Sequence, residues 1–204
     1  MAPDSSLPWP SDPHLRRWMM FIDGENFTLR AQEVAQAADI KLTEGESYQR
    51  DTFIWIPGVK ATQALTNQAD APLQVQSHAI RSFYYTSVVG DELRIAGVTE
   101  ALWKLGFQPE VYKKAKGQVK AKGVDIALSK DFLSNAFLHN YDVAVFVAGD
   151  GDYVPLVKEV KRLGKVVYVA FFSKSGLNPD LRLASDMFFA MDEFFLDRWK
   201  QISK

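Results

Sequence analysis

The sequence predicts an α/β sandwich, a central, mainly parallel sheet between two layers of helices. Three observations carry that prediction. Apolar runs such as Met19-Met20-Phe21-Ile22 and Val143-Ala144-Val145-Phe146-Val147 are continuous rather than alternating, as in strands buried on both faces. Helical stretches alternate with such runs along most of the chain, the order that right-handed crossovers produce. Acids close the runs: Asp23 ends the first, and Asp150 and Asp152 follow the second. In open parallel sheets ligands bind outside the carboxyl ends of the strands, so acids there are placed for chemistry.

The elements follow in order. Residues 1–16 hold Pro3, Pro8, Pro10 and Pro13 without the apolar stretch of a secretion signal, and read as a flexible Pro-rich arm. A strand spans 17–22 and ends at Asp23-Gly24-Glu25-Asn26; a helix rich in Ala, Gln and Glu follows over 27–38. Residues 39–80 break the rhythm, with a strand-like run at 51–56 stopped by Pro57-Gly58 and then a polar stretch. That length exceeds a simple connection. It reads as an insertion holding an extra strand, a short helix and a surface loop, able to narrow the substrate, cover the cleft, pair two copies or dock a protein partner. Alternation then resumes. A strand over 82–89 turns at Gly90-Asp91 into a helix over 93–105 that Gly106 ends, and a strand follows over 107–113. A lysine-rich loop leads to a helix over 124–137, where Val124, Leu128, Phe132 and Ala136 share one face. A strand over 143–148 passes through Gly149-Asp150-Gly151-Asp152 into a helix that stops at Gly164. Then come a strand over 166–172, a short helix after Pro179 and a last strand over 187–191. Residues 17–204 thus read as one domain.

Composition bounds the function. With 204 residues, 47% of them hydrophobic, the chain can bury one sizeable core. Net charge is −1, so any surface for nucleic acid must be local. Cysteine is absent, which excludes disulfides, thiolate zinc sites and thiol catalysis and fits a reducing, cytoplasmic setting. No apolar stretch approaches the roughly 18 residues of a membrane span.

Four acids are the candidate catalytic and metal-binding residues: Asp23, Asp125, Asp150 and Asp152. Carboxylates converging in one crevice repel unless a cation lies between them. All-oxygen donors point to Mg²⁺ or Mn²⁺. Singly, each has a plainer reading: Asp125 as a helix-dipole partner, Asp152 as the N-cap of a helix starting near Tyr153. The set of four favours the metal site. Asn26 either holds a metal-bound water or phosphate oxygen beside them, or N-caps the helix at Phe27. Glu25 is expected to face out, Asp131 to be structural, and Asp186 to border the crevice. Between Val111 and Val124 the chain carries five lysines and no acid. Of these, Lys114, Lys116, Lys120 and Lys122 are candidate RNA-backbone contacts, with Arg81, Lys174 and Arg182 extending the surface. Tyr112 and Tyr153 either stack on bases or join the core. His14, His78 and His139 show no ligand spacing, and no nucleophile triad or P-loop is visible.

Three blocks in order resemble the NYN domain, the LabA-like group of the PIN-like nuclease superfamily. They are Phe21-Ile22-Asp23-Gly24-Glu25-Asn26, Lys122-Gly123-Val124-Asp125, and Ala148-Gly149-Asp150-Gly151-Asp152-Tyr153-Val154-Pro155-Leu156-Val157. The similarity spans roughly residues 18–192, and the Gly-Asp-Gly-Asp-Tyr block is its most specific part. The resemblance implies a PIN-like three-layer fold and a Mg²⁺- or Mn²⁺-dependent ribonuclease site at Asp23, Asp125, Asp150 and Asp152, with Asn26 alongside. The alternative is a non-catalytic RNA- or protein-binding regulatory module on the same fold. A haloacid-dehalogenase-type phosphatase is weaker, because such enzymes want Asp-x-Asp and Glu25 stands at the second position.

Overall fold

A computed structural model gives the fold and describes residues 17–39, 79–104, 106–116 and 123–192. The first half of the fold comprises β1 (Trp18–Asp23), α1 (Gly24–Ala37), β2 (Ala79–Val89), α2 (Glu92–Lys104), β3 (Gln108–Lys114) and α3 (Val124–Phe137). The second half adds β4 (Val143–Val147), a 3₁₀ turn (Gly151–Tyr153), α4 (Val154–Arg162), β5 (Val166–Phe171), α5 (Pro179–Ala184) and β6 (Met187–Ala190). The arm at 1–16 and most of the 39–80 segment, with its strand-like run at 51–56, lie outside the described residues.

Among the described residues the sheet has six strands in the order β3-β2-β1-β4-β5-β6, and every pairing is parallel. The chain builds outward from β1 to β3, then returns to lay β4 against the other side of β1. Strand order therefore reverses between β1 and β4, which places a crevice at their carboxyl ends. Asp23 is the last residue of β1, and Asp150 follows β4 by three positions.

Successive side chains of β1 serve opposite cores. Met20 and Ile22 join Phe27, Ala31, Tyr84, Val98 and Leu102 under α1 and α2. Met19 and Phe21 join Phe83, Leu128, Phe132, Val157 and Leu181 under α3, α4 and α5. The three layers predicted from the continuous apolar runs are present. Phe21 anchors the second core, its ring 4.7 Å from Phe132 and 5.4 Å from Phe83 between centroids.

Helix α1 starts three residues earlier than predicted. The first strand runs straight into it because Asp23, not Asn26, is the N-cap. Gly24 makes that junction possible: a Cβ there would stand 2.1 Å from Tyr84 Cε1 and 2.7 Å from the Tyr85 carbonyl oxygen. Tyr84 is fully buried and the Tyr85 oxygen is backbone, so relieving the clash would disturb a close-packed interior. Gly24→Ala is therefore expected to destabilise the fold by about 1–3 kcal/mol through overpacking. Urea denaturation measures it, and an unchanged midpoint would contradict the close approach.

Candidate active site

The turn after β1 is built by two side chains. Asp23 Oδ1 accepts the Asn26 amide at 3.0 Å, closing the first turn of α1. Asn26 Oδ1 accepts the Gly149 amide at 3.1 Å, which ties this turn to the end of β4. The second turn is held as firmly. Asp150 caps the 3₁₀ turn, its Oδ1 accepting the Asp152 amide at 3.1 Å. The Gly149 carbonyl in turn accepts the Asn178 amide at 2.8 Å. A Cβ on Gly149 would meet the Phe171 ring at 2.2 Å, and one on Gly151 would meet Asn178 Nδ2 at 2.3 Å. The glycines of the Gly-Asp-Gly-Asp block thus serve close packing.

Helix α3 delivers the remaining block. Gly123 takes a left-handed conformation (φ 102°) that turns the chain into the helix, and Asp125 falls in the first turn. The buried Tyr153 joins the pieces: its hydroxyl lies 3.0 Å from Asp23 Oδ2 and 3.1 Å from Asp125 Oδ1. Asp23 is itself buried, and its carboxyl is pushed from 3.8 up to about 6. Loss of hydration is the largest cause. The hydrogen bonds from Asn26 and Tyr153 offset part of it, and the charges of Asp125 and Glu25 add to it. Burial and the two carboxylates together push the Tyr153 phenol far above its ordinary range. It stays protonated and is a permanent donor.

A sequence profile of the NYN domain matches residues 17–192. The chain belongs to the NYN domain family. This places it in the PIN-like nuclease superfamily, whose fold the all-parallel sheet and its two helical layers reproduce. An uncharacterized protein of Methanocaldococcus jannaschii is 29% identical over 102 residues, covering 50% of this chain and 39% of that protein. A protein of unknown function from Vibrio parahaemolyticus has a crystal structure similar in fold. Its TM-score is 0.61 at 17% identity, over 91% of this chain and 98% of that one.

In this NYN domain the four predicted acids do not stand alike. Asp23 and Asp125 share the Tyr153 hydroxyl. Asp150 is half-buried with Oδ1 turned to its own loop, and Asp152 is exposed. Among the described residues no three acids or histidines stand close enough together to enclose a metal ion. The donor chemistry nevertheless fits a hard divalent cation. Mg²⁺ keeps most of its waters and takes one or two carboxylates, which is what Asp23 and Asp125 offer. An anion held out of water beside two others also favours a cation electrostatically.

Four expectations are corrected. Glu25 does not face out: it is buried, accepts the Ser87 hydroxyl at 3.0 Å and pairs with Lys114. Lys114 is accordingly no surface contact, because it ends β3 with 5% of its side chain exposed and its ammonium on Glu25. Asp186 lies at the opposite end of the sheet, where it accepts the Val167 amide at the start of β5 and pairs with Lys161. Arg81, four residues ahead of Tyr85 on β2, is likewise remote from the β1 carboxyl end. Asp131 is structural as predicted, accepting the Tyr85 hydroxyl at 3.1 Å. Lys116 is exposed, and Lys120 and Lys122 lie outside the described residues.

Sequence reasoning missed the Tyr153 hydroxyl and the Glu25–Lys114 pair. The first had a signal, since a tyrosine directly after two strand-end acids can reach them. The second had none, because the pairing depends on β3 register beside β2.

Two predictions follow from these groups. A folded-state pKa above the unfolded one means that Asp23 favours folding when protonated, and that this contribution is lost as pH rises through about 6. Between about pH 4 and pH 7, metal-free protein should therefore lose up to about 3 kcal/mol relative to Asp23→Asn. Urea midpoints of both proteins across that range test it, and parallel curves would contradict it. Lys114→Met strands a buried carboxylate and should cost about 3–5 kcal/mol, whereas Lys114→Met with Glu25→Leu should recover most of the loss. Thermal denaturation of single and double variants would show the idea wrong if the losses simply add.

Proposed function

We propose that this NYN domain is a divalent-metal-dependent ribonuclease, hydrolysing RNA phosphodiester bonds at the crevice between β1 and β4. The single observation that supports it most is the pairing of Asp23 with Asp125. Two carboxylates from separate elements meet at the switch point of the sheet, one of them buried and held near neutrality in its affinity for a proton. Stability alone would select against that arrangement.

In this reading Asp23 and Asp125 would hold a Mg²⁺ or Mn²⁺ ion, and Asp150 and Asp152 on the adjoining turn would act on it through water. The ion, when bound, neutralises the scissile phosphate and acidifies a water. The residues of the chain supply position. Asn26 fixes the two turns against each other, so the acids on each keep their separation. Lys116, exposed beyond β3, together with Lys120 and Lys122, meets the RNA backbone. In-line attack by water would leave a 5′-phosphate and a 3′-hydroxyl. No histidine is needed, because carboxylates accept the proton.

The test is cleavage of end-labelled single-stranded and structured RNA with Mn²⁺, Mg²⁺ or EDTA. Wild type should cleave only with metal, and Asp23→Asn and Asp150→Asn should each lose about 100-fold or more, as when one group stabilising developing charge is removed. Equal cleavage by folded variants would contradict the assignment. Metal-independent RNA binding without turnover would instead identify a binding module.

A further inference from the structure

We propose that Tyr153 is the positioning residue of this site: its one phenolic hydrogen, shared between Asp23 and Asp125, sets the spacing at which the two carboxylates receive a divalent cation. The inference rests on the metal site of the proposed function and adds a residue to it. A phenol carries one hydrogen, yet its oxygen lies 3.0 Å from Asp23 Oδ2 and 3.1 Å from Asp125 Oδ1. Two like charges drawn to the same donor stand at the separation that donor dictates. The donor is itself fixed. Tyr153 is 4% exposed, and its ring meets Phe146 edge-on at 5.0 Å and 89°. Its backbone lies in the 3₁₀ turn that Asp150 caps. One residue thereby couples the ends of β1 and β4 to the start of α3. Packing does not require the hydroxyl, since a phenylalanine ring would fill the same space among Phe146, Leu128 and Val157.

The experiment is Mn²⁺ titration followed by electron paramagnetic resonance, which reads binding without any turnover. Tyr153→Phe keeps the ring and deletes the bridge. Tyr141→Phe is the control, because it deletes an equally buried phenol whose hydroxyl donates to the Phe132 carbonyl at 2.9 Å. Tyr153→Phe should weaken Mn²⁺ binding by about 10-fold or more, as outer-shell losses do, and Tyr141→Phe should leave it unchanged. In RNA cleavage, Tyr153→Phe should lower kcat while KM for RNA stays within roughly twofold, since the bridge touches no substrate. Unchanged Mn²⁺ affinity in Tyr153→Phe overturns the inference, and so does an equal loss in Tyr141→Phe. Wild type that binds no Mn²⁺ overturns the metal site and this inference with it. Wild type that binds Mn²⁺ more tightly than Tyr153→Phe but leaves RNA intact overturns only the nuclease reading.

Discussion

A carboxylate held out of water at the end of a buried strand is the constraint on which this structure turns. Asp23 follows five apolar residues of β1 that face core on both sides, so its side chain emerges where solvent is scarce. Burying a charge is costly unless it is paired and hydrogen-bonded. The chain answers with the Asn26 amide, the N-terminus of α1 and the Tyr153 hydroxyl, and the carboxyl still sits at about 6. What these groups leave uncompensated is the part a cation would supply.

The surroundings serve to hold that arrangement. Gly24 lets α1 begin directly over Tyr84, and Asn26 locks the β1 turn to Gly149. Gly149 and Gly151 let the second turn press against Phe171 and Asn178. The next loop is clamped in turn, with Arg30 lying over Gly176 and Ser175 donating to Glu33 at 2.6 Å. Beside the acids, the Glu25–Lys114 pair joins the β1 turn to the end of β3, where the lysine-rich loop begins. A crevice framed this way is preorganised: few of its side chains have alternative packed positions.

How much of this was legible in the sequence varies with the range of the interaction. The layers followed from continuous apolar runs, and α3 was placed at its observed bounds because its apolar face repeats cleanly. The start of α1 was misplaced because two neighbouring residues, Asp23 and Asn26, can each cap a helix, and only the close approach at Gly24 decides between them. The acids at the ends of β1 and β4 were readable, since strand ends in parallel sheets share one rim. Lys114 and Glu25 were not. Both look like surface charges in sequence, and only the register of β3 on β2, with Lys114 level with Val89, brings the lysine inward. Asp186 failed for a similar reason: nearness to a last strand says nothing about which end of the sheet it borders, and it caps the wrong one.

The most direct measurement is anomalous diffraction from crystals grown or soaked with Mn²⁺. The account predicts a peak within about 2.0–2.2 Å of carboxylate oxygens of both Asp23 and Asp125, a coordination distance suited to a small hard cation. A peak elsewhere, or none at saturating Mn²⁺, would contradict it.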